Sequence, residues 1–98
     1  MYARVTLAQL QTGKIDELIS FLHDNVVPAA QRQQGFKGLL LLTDETTTKG
    51  IAIALWETEA DMAAGEASGG YYQVQIARGA HFFAAPPVQE AYQVIIQV

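Results

Sequence analysis

Residues 51–62 read IAIALWETEADM, and they hold the only tryptophan of the chain, Trp56. An apolar run stops at Trp56 and an acidic, helix-starting run begins. In an extended segment successive side chains point to opposite faces. Ile51, Ile53 and Leu55 then share one face, and Ala52, Ala54 and Trp56 the other. Both faces are apolar, whereas an antiparallel sheet covered on one side normally alternates apolar with polar. Thr58 and Asp61 fit the Ser/Thr-x-x-Asp/Glu capping pattern, so a helix is expected directly after Glu57.

Working outward, residues 2–9 alternate loosely, with Ala3, Val5 and Leu7 against Arg4, Thr6 and Ala8, and read as a first strand. Thr12-Gly13 breaks it. Ile15, Leu18, Ile19, Leu22 and Val26 then recur at spacings of three and four, one stripe of a helix. Asp16 and Glu17 suit its first turn. Pro28 is expected to kink or shorten this helix, and Gly35 to supply a left-handed stop. GFKGLLLLTD (35–44) and KGIAIALWE (49–57) read as strands, with DETTTKG (44–50) as a hairpin loop. The segment YYQVQIARGAHFF (71–83) fits either period. A strand of that length is unusual in so small a chain, so a helix is expected. Ala85-Pro86-Pro87 ends it, and EAYQVIIQV (90–98) is expected to be the last strand.

Strand, helix, strand, strand, helix, strand is the order of a ferredoxin-like α+β fold: one domain over residues 1–98, with a four-stranded antiparallel sheet and both helices on one face. The first and third strands are central in that topology. Two helices cannot cover both apolar faces, and an open apolar face of this size marks an interface. A homodimer packed through the sheet face is expected. The Ile/Leu side of the third strand, with Val5 and Leu7 beside it, is expected to meet the helices. The opposite side sets small Ala52 and Ala54 next to one large indole, with Arg4 and Thr6 on the neighbouring strand. Space lined by small residues, an aromatic and a few polar groups suits a small molecule. The simpler reading is that Trp56 only fills volume between two sheets.

Composition narrows the partners. Of 98 residues half are hydrophobic and 16% charged, with a net charge of −4 and no cluster of Lys or Arg. Neither nucleic acid nor an anionic membrane is expected, since both need a basic footprint. The chain has no cysteine, hence no disulfide framework and no thiolate chemistry. Its apolar runs are too short to span a bilayer, and no apolar leader follows Met1, so a cytoplasmic location is expected.

VVPAAQRQQGFKGLLLL (26–42), LWETEADMAA (55–64) and YYQVQIA (71–77), in that order, resemble the antibiotic biosynthesis monooxygenase family of dimeric α/β barrels. The resemblance covers nearly the whole chain. It implies a homodimer with a cavity between sheet and helices in each subunit. It also implies oxygenation of small aromatic or quinone-like molecules, often without metal or organic cofactor. Trp56 takes the tryptophan position of that pattern, and Phe36 and Tyr72 are the cavity neighbours that the pattern implies. Haem-cleaving relatives use a histidine shortly after this tryptophan and an asparagine on the first strand. MAAGEASGG (62–70) has no histidine and YARVTLAQL (2–10) no asparagine, which disfavours haem degradation.

Cofactor-free oxygenation needs a base and donors for a developing oxyanion. His23 and His81 are the side chains with ordinary pKa near neutrality. Their bland readings are a helix-surface residue for His23 and a helix-end cation for His81. Arg4 could hold an anionic oxygen or pair with an acid. Tyr71 and Tyr72 could donate to a substrate oxygen. The sequence carries no phosphate loop, dinucleotide turn, nucleophile elbow or zinc spacing. Asp16, Glu17, Glu57, Glu59 and Asp61 read as helix-start charges and solvated surface. Two hypotheses follow: a cofactor-independent oxygenase acting on a small aromatic, or a non-catalytic dimeric barrel whose cavity binds a small apolar ligand or is filled.

Overall fold

A computed structural model describes residues 1–66 and 71–98. In chain order it runs β1 (Tyr2–Gln9), α1 (Ile15–Phe21), a π-helical turn (Leu22–Val26), α2 (Val27–Gln31), β2 (Phe36–Asp44) and β3 (Lys49–Trp56). Then follow α3 (Glu59–Gly65), α4 (Tyr71–Gly79), a 3₁₀ turn (Ala80–Phe82) and β4 (Val88–Gln93). The strands lie in the order β2-β3-β1-β4, all antiparallel, as an open four-stranded sheet. This is the ferredoxin-like α+β arrangement expected, with β1 and β3 central.

Local chemistry explains the boundaries. Thr58 Oγ1 accepts the backbone N–H of Asp61 at 3.0 Å, the capping contact that starts α3 where the sequence places it. Gly35 has φ +79°, and a Cβ there would collide with the Asp61 carboxylate. Its carbonyl accepts the Glu57 N–H at 2.8 Å, so one glycine ties the start of β2 to the start of α3. In the β2–β3 hairpin, Asp44 accepts from the Thr46 N–H and the Thr47 hydroxyl, each at 3.0 Å.

Two elements depart from expectation. Pro28 neither ends nor shortens the first helix, whose path continues to Gln31. A proline lacks the N–H, and its ring crowds the carbonyl four residues back. The chain answers by widening: Val27 donates to the Leu22 carbonyl five residues earlier, and residues 22–26 form a π turn just before the proline. The last strand begins at Val88 and stops at Gln93 rather than covering residues 90–98. Beyond it Val94 N–H still reaches the Met1 carbonyl at 2.9 Å, whereas Ile95 and Ile96 are about 80% exposed.

The sidedness of the sheet is the larger correction. Register pairs Arg4 with Ala54, Thr6 with Ala52 and Ala8 with Gly50, so these residues share a face with Trp56, Leu39 and Leu41. That face, not the Ile/Leu face, lies under the helices. Leu10, Leu18 and Phe82 are buried together there, packed by Ala8, Ile15, Phe21, Leu22 and Phe83. Phe21 and Phe82 rings lie 5.4 Å apart. The helices bring their own bulk, so they settle on the small-residue side. Gly79 on α4 allows this approach, since a Cβ would meet Phe21 at 3.1 Å.

The opposite face carries Val5, Leu7, Ile51, Ile53 and Leu55, flanked by Leu40 and Leu42 on β2 and Val88 and Tyr92 on β4. Leu40, Leu42, Val88 and Tyr92 are each about half exposed. Glu90 stands on the same face two residues from Tyr92. By hydrogen bond and by charge it raises the Tyr92 phenol above its ordinary pKa. Among the described residues no helix is long and apolar enough to cross a membrane.

Candidate functional site

β1 and β3 run antiparallel, and Tyr2 at one end of β1 faces Trp56. Trp56 therefore stands at one end of the helix-covered face and the Leu10–Leu18–Phe82 cluster at the other. Between them Ala8, Ala52 and Ala54 carry only a methyl group and Gly50 no side chain, too little to fill the space below the helices. The space left is a cavity of about 110 Å³. Its floor is this strip of small residues with Arg4, Thr6, Leu39 and Leu41; its roof is Leu18, Phe21, Leu22, Val26, Ile76 and Gly79. Leu22 and Val26 are the two ends of the π turn, so the widened turn shapes this roof. The lining is almost wholly apolar.

Trp56 is 1% exposed and closes the cavity at its end of the sheet. Phe36 meets it edge-on with ring centroids 5.6 Å apart, worth about 1 kcal/mol beyond area burial. Phe36 packs against the indole and is not among the residues that line the cavity.

Polar groups enter the wall at two points. Arg4 donates from Nε to Glu66 Oε1 at 2.5 Å, with both side chains more than four-fifths buried. Glu66 is the residue that ends α3. Nε is the one guanidinium nitrogen of Arg4 in a hydrogen bond among the described residues, so the two terminal nitrogens keep their donors. Gln75 on α4 is the second point. Its Oε1 is buried with no hydrogen-bond partner among the described residues. A buried carbonyl without a donor costs about 1–3 kcal/mol.

The structure thus brings Trp56, Arg4 and Thr6 to one cavity. His23 does not join them: it lies on the outside of the π turn, largely exposed, 3.3 Å from Asp24. His81 is exposed in the 3₁₀ turn, its ring 4.0 Å from that of Phe82. Tyr72 belongs to α4, and its side chain lies outside the described residues. Among those residues no three His, Asp or Glu side chains come together as metal ligands.

Glu66 and Gln75 are the residues that sequence reasoning missed. Both left a trace. An acid at a helix C-terminus opposes the helix dipole and so needs a cation elsewhere. Gln75 stands four residues before Gly79, on the same side of α4 as the glycine that packs against Phe21.

No family model matches the chain. Two uncharacterised proteins of Mycobacterium tuberculosis, Rv2557 and Rv2558, are 41% and 38% identical over 64 and 58 residues. These stretches are 65% and 59% of this chain, which spans only 29% and 25% of the length of those relatives. Similarity of structure extends over the whole chain. A Bordetella bronchiseptica protein named, provisionally, as an antibiotic biosynthesis monooxygenase superposes with a TM-score of 0.82 at 20% identity, over 97% of both chains. SnoaB of Streptomyces nogalater, named a cofactor-independent oxygenase, gives 0.79 at 15% identity over 99% of this chain and 95% of its own. Rv0793 of M. tuberculosis gives 0.75 at 10% identity over 98% and 96%. Over almost its whole length, the chain has the fold of the antibiotic biosynthesis monooxygenases.

Proposed function

We propose that the protein is a cofactor-independent oxygenase acting on a small aromatic or quinone-like compound, and that it works as a homodimer in the cytoplasm. The observation that carries this reading is the apolar cavity beside Trp56 with the Arg4–Glu66 ion pair in its wall. The fold shared with SnoaB supports it. A phenol that loses its proton becomes a carbanion equivalent at the ring carbon para to oxygen. That carbon attacks dioxygen and a C–O bond forms. The O–O bond then breaks, the ring C–H proton leaves, and the products are one quinone and one water. One phenol and one dioxygen balance this equation without any reductant.

The chain's part is electrostatic. An ordinary carboxylate takes a proton from an ordinary phenol against about six pKa units, about 8 kcal/mol. Donors that hold the phenolate must offset most of that gap. The Nη groups of Arg4, unbonded among the described residues, are the donors at hand, in a surrounding of low polarity where they act strongly. Glu66 keeps the arginine oriented and is the carboxylate in the cavity wall to which the proton can pass. The exposed Ile/Leu face of the sheet supports the homodimer, since none of the described residues covers it.

Oxygen uptake with a panel of phenols, hydroquinones and anthrones tests the reading. Uptake is expected with at least one compound. It should fall by about 100-fold or more in the Arg4→Met/Glu66→Met double variant, the usual scale for losing an oxyanion donor. Absence of uptake across the panel would leave only the binding-module reading.

A further inference from the structure

The geometry points to a single-ring phenol as the molecule this cavity takes, with Gln75 as the residue that selects it by accepting the ring hydroxyl. The inference deepens the oxygenase reading and rests on it for turnover; capture of the ligand is measured separately. Three observations lead to it.

The first is size. An engineered apolar cavity of about 150 Å³ takes up benzene. The cavity here measures about 110 Å³, so one ring is its ceiling. Its floor is β-sheet backbone bearing alanines and a glycine, and its end wall is a buried indole braced by Phe36. Neither retreats easily, because packed interiors resist displacement. A second fused ring would have to push the helices away or project into solvent.

The second is the unpaired acceptor. Gln75 Oε1 is buried, lacks a donor among the described residues, and belongs to a side chain in the cavity wall. A site holding such a group favours a ligand with a hydroxyl over its methyl isostere, because the isostere leaves the carbonyl unsatisfied. Phenol against toluene is that comparison, with nearly equal shape and volume.

The third is charge. Arg4 is already offset by Glu66, so this end of the wall is neutral overall. A ligand carboxylate would meet the Glu66 carboxylate beside the guanidinium. A neutral hydroxyl meets no such repulsion and can still share its oxygen with the Arg4 Nη donors as charge develops.

The test is an anaerobic titration followed by the fluorescence of Trp56, with phenol, toluene, benzoate and 1-naphthol as probes, on the wild type and on Gln75→Leu. The wild type is expected to bind phenol about tenfold more tightly than toluene, the factor given by one buried hydrogen bond. Benzoate and 1-naphthol should both bind more weakly than phenol. In Gln75→Leu the phenol preference should vanish while toluene binds at least as well. Equal binding of phenol and toluene to the wild type would overturn the role of Gln75 without reference to any variant. Tighter binding of 1-naphthol than of phenol would overturn the one-ring limit. If phenol binds as expected but no compound of the panel consumes oxygen in air, the ligand inference stands and the oxygenase reading falls. If only fused-ring compounds consume oxygen, the reverse holds.

Discussion

Arg4 sits on a central strand of the sheet with its guanidinium turned toward the helices, and Glu66 meets it from the end of α3, 62 residues away. Each is more than four-fifths buried, so each depends on the other. Removing one partner of a buried pair strands a charge, whereas replacing both by apolar residues of similar volume is often neutral. Arg4→Met and Glu66→Met are each expected to cost about 2–3 kcal/mol, the remaining exposure keeping this below the fully buried case. The double variant should recover most of that loss. Urea unfolding of the three proteins measures it, and strictly additive losses would mean that the pair is not coupled. At this scale the sequence was partly legible. Trp56, Arg4 and Thr6 follow from strand parity alone, because side chains alternate with a strict period of two. Glu66 and Gln75 did not follow, since their place depends on how α3 and α4 lie across the sheet. His23 and His81 were candidates by pKa, and a pKa says nothing about direction.

At the scale of elements, the starts and stops rest on a few side-chain contacts. Thr58 caps α3, and Gly35 holds a left-handed turn against Asp61 of the same helix. Thr58→Ala should cost about 1 kcal/mol, the usual value for losing an N-cap. Gly35→Ala should cost more, because its Cβ meets both an unfavourable φ and the Asp61 side chain. Thermal unfolding of the two variants under one set of conditions ranks them, and a Gly35→Ala protein as stable as the wild type would contradict the close approach. The elements themselves were legible wherever period and punctuation agreed, as in β1, β3, α3 and the hairpin. Pro28 was misjudged only in part: it disturbs the helix without shortening it, because a proline's effect depends on what the preceding turn can absorb. Here a π turn takes up the misfit and, in doing so, sets Leu22 and Val26 over the cavity. The side on which the helices lie was also misjudged. Bulky Ile and Leu suggest a core, but helices that carry Phe21, Leu18 and Leu22 pack against alanines instead.

For the whole molecule the governing fact is a sheet that is apolar front and back. The helices cover the face with Trp56 and leave beneath them the cavity on which the proposed chemistry depends. The other face presents Leu40, Leu42, Val88 and Tyr92 to solvent around a centre of Ile51, Ile53 and Leu55. An apolar surface of that kind on a chain with only 16% charged residues calls for a covering layer, and in the proposed homodimer a second copy would supply one of matching character. Leu40→Glu places a charge on that apolar face, beside Ile53, while leaving the cavity on the opposite face untouched. Sedimentation equilibrium at micromolar concentration is the most direct measurement. The account predicts twice the chain mass of 10.7 kDa for the wild type and the single mass for Leu40→Glu. A wild type that sediments as one chain would contradict it.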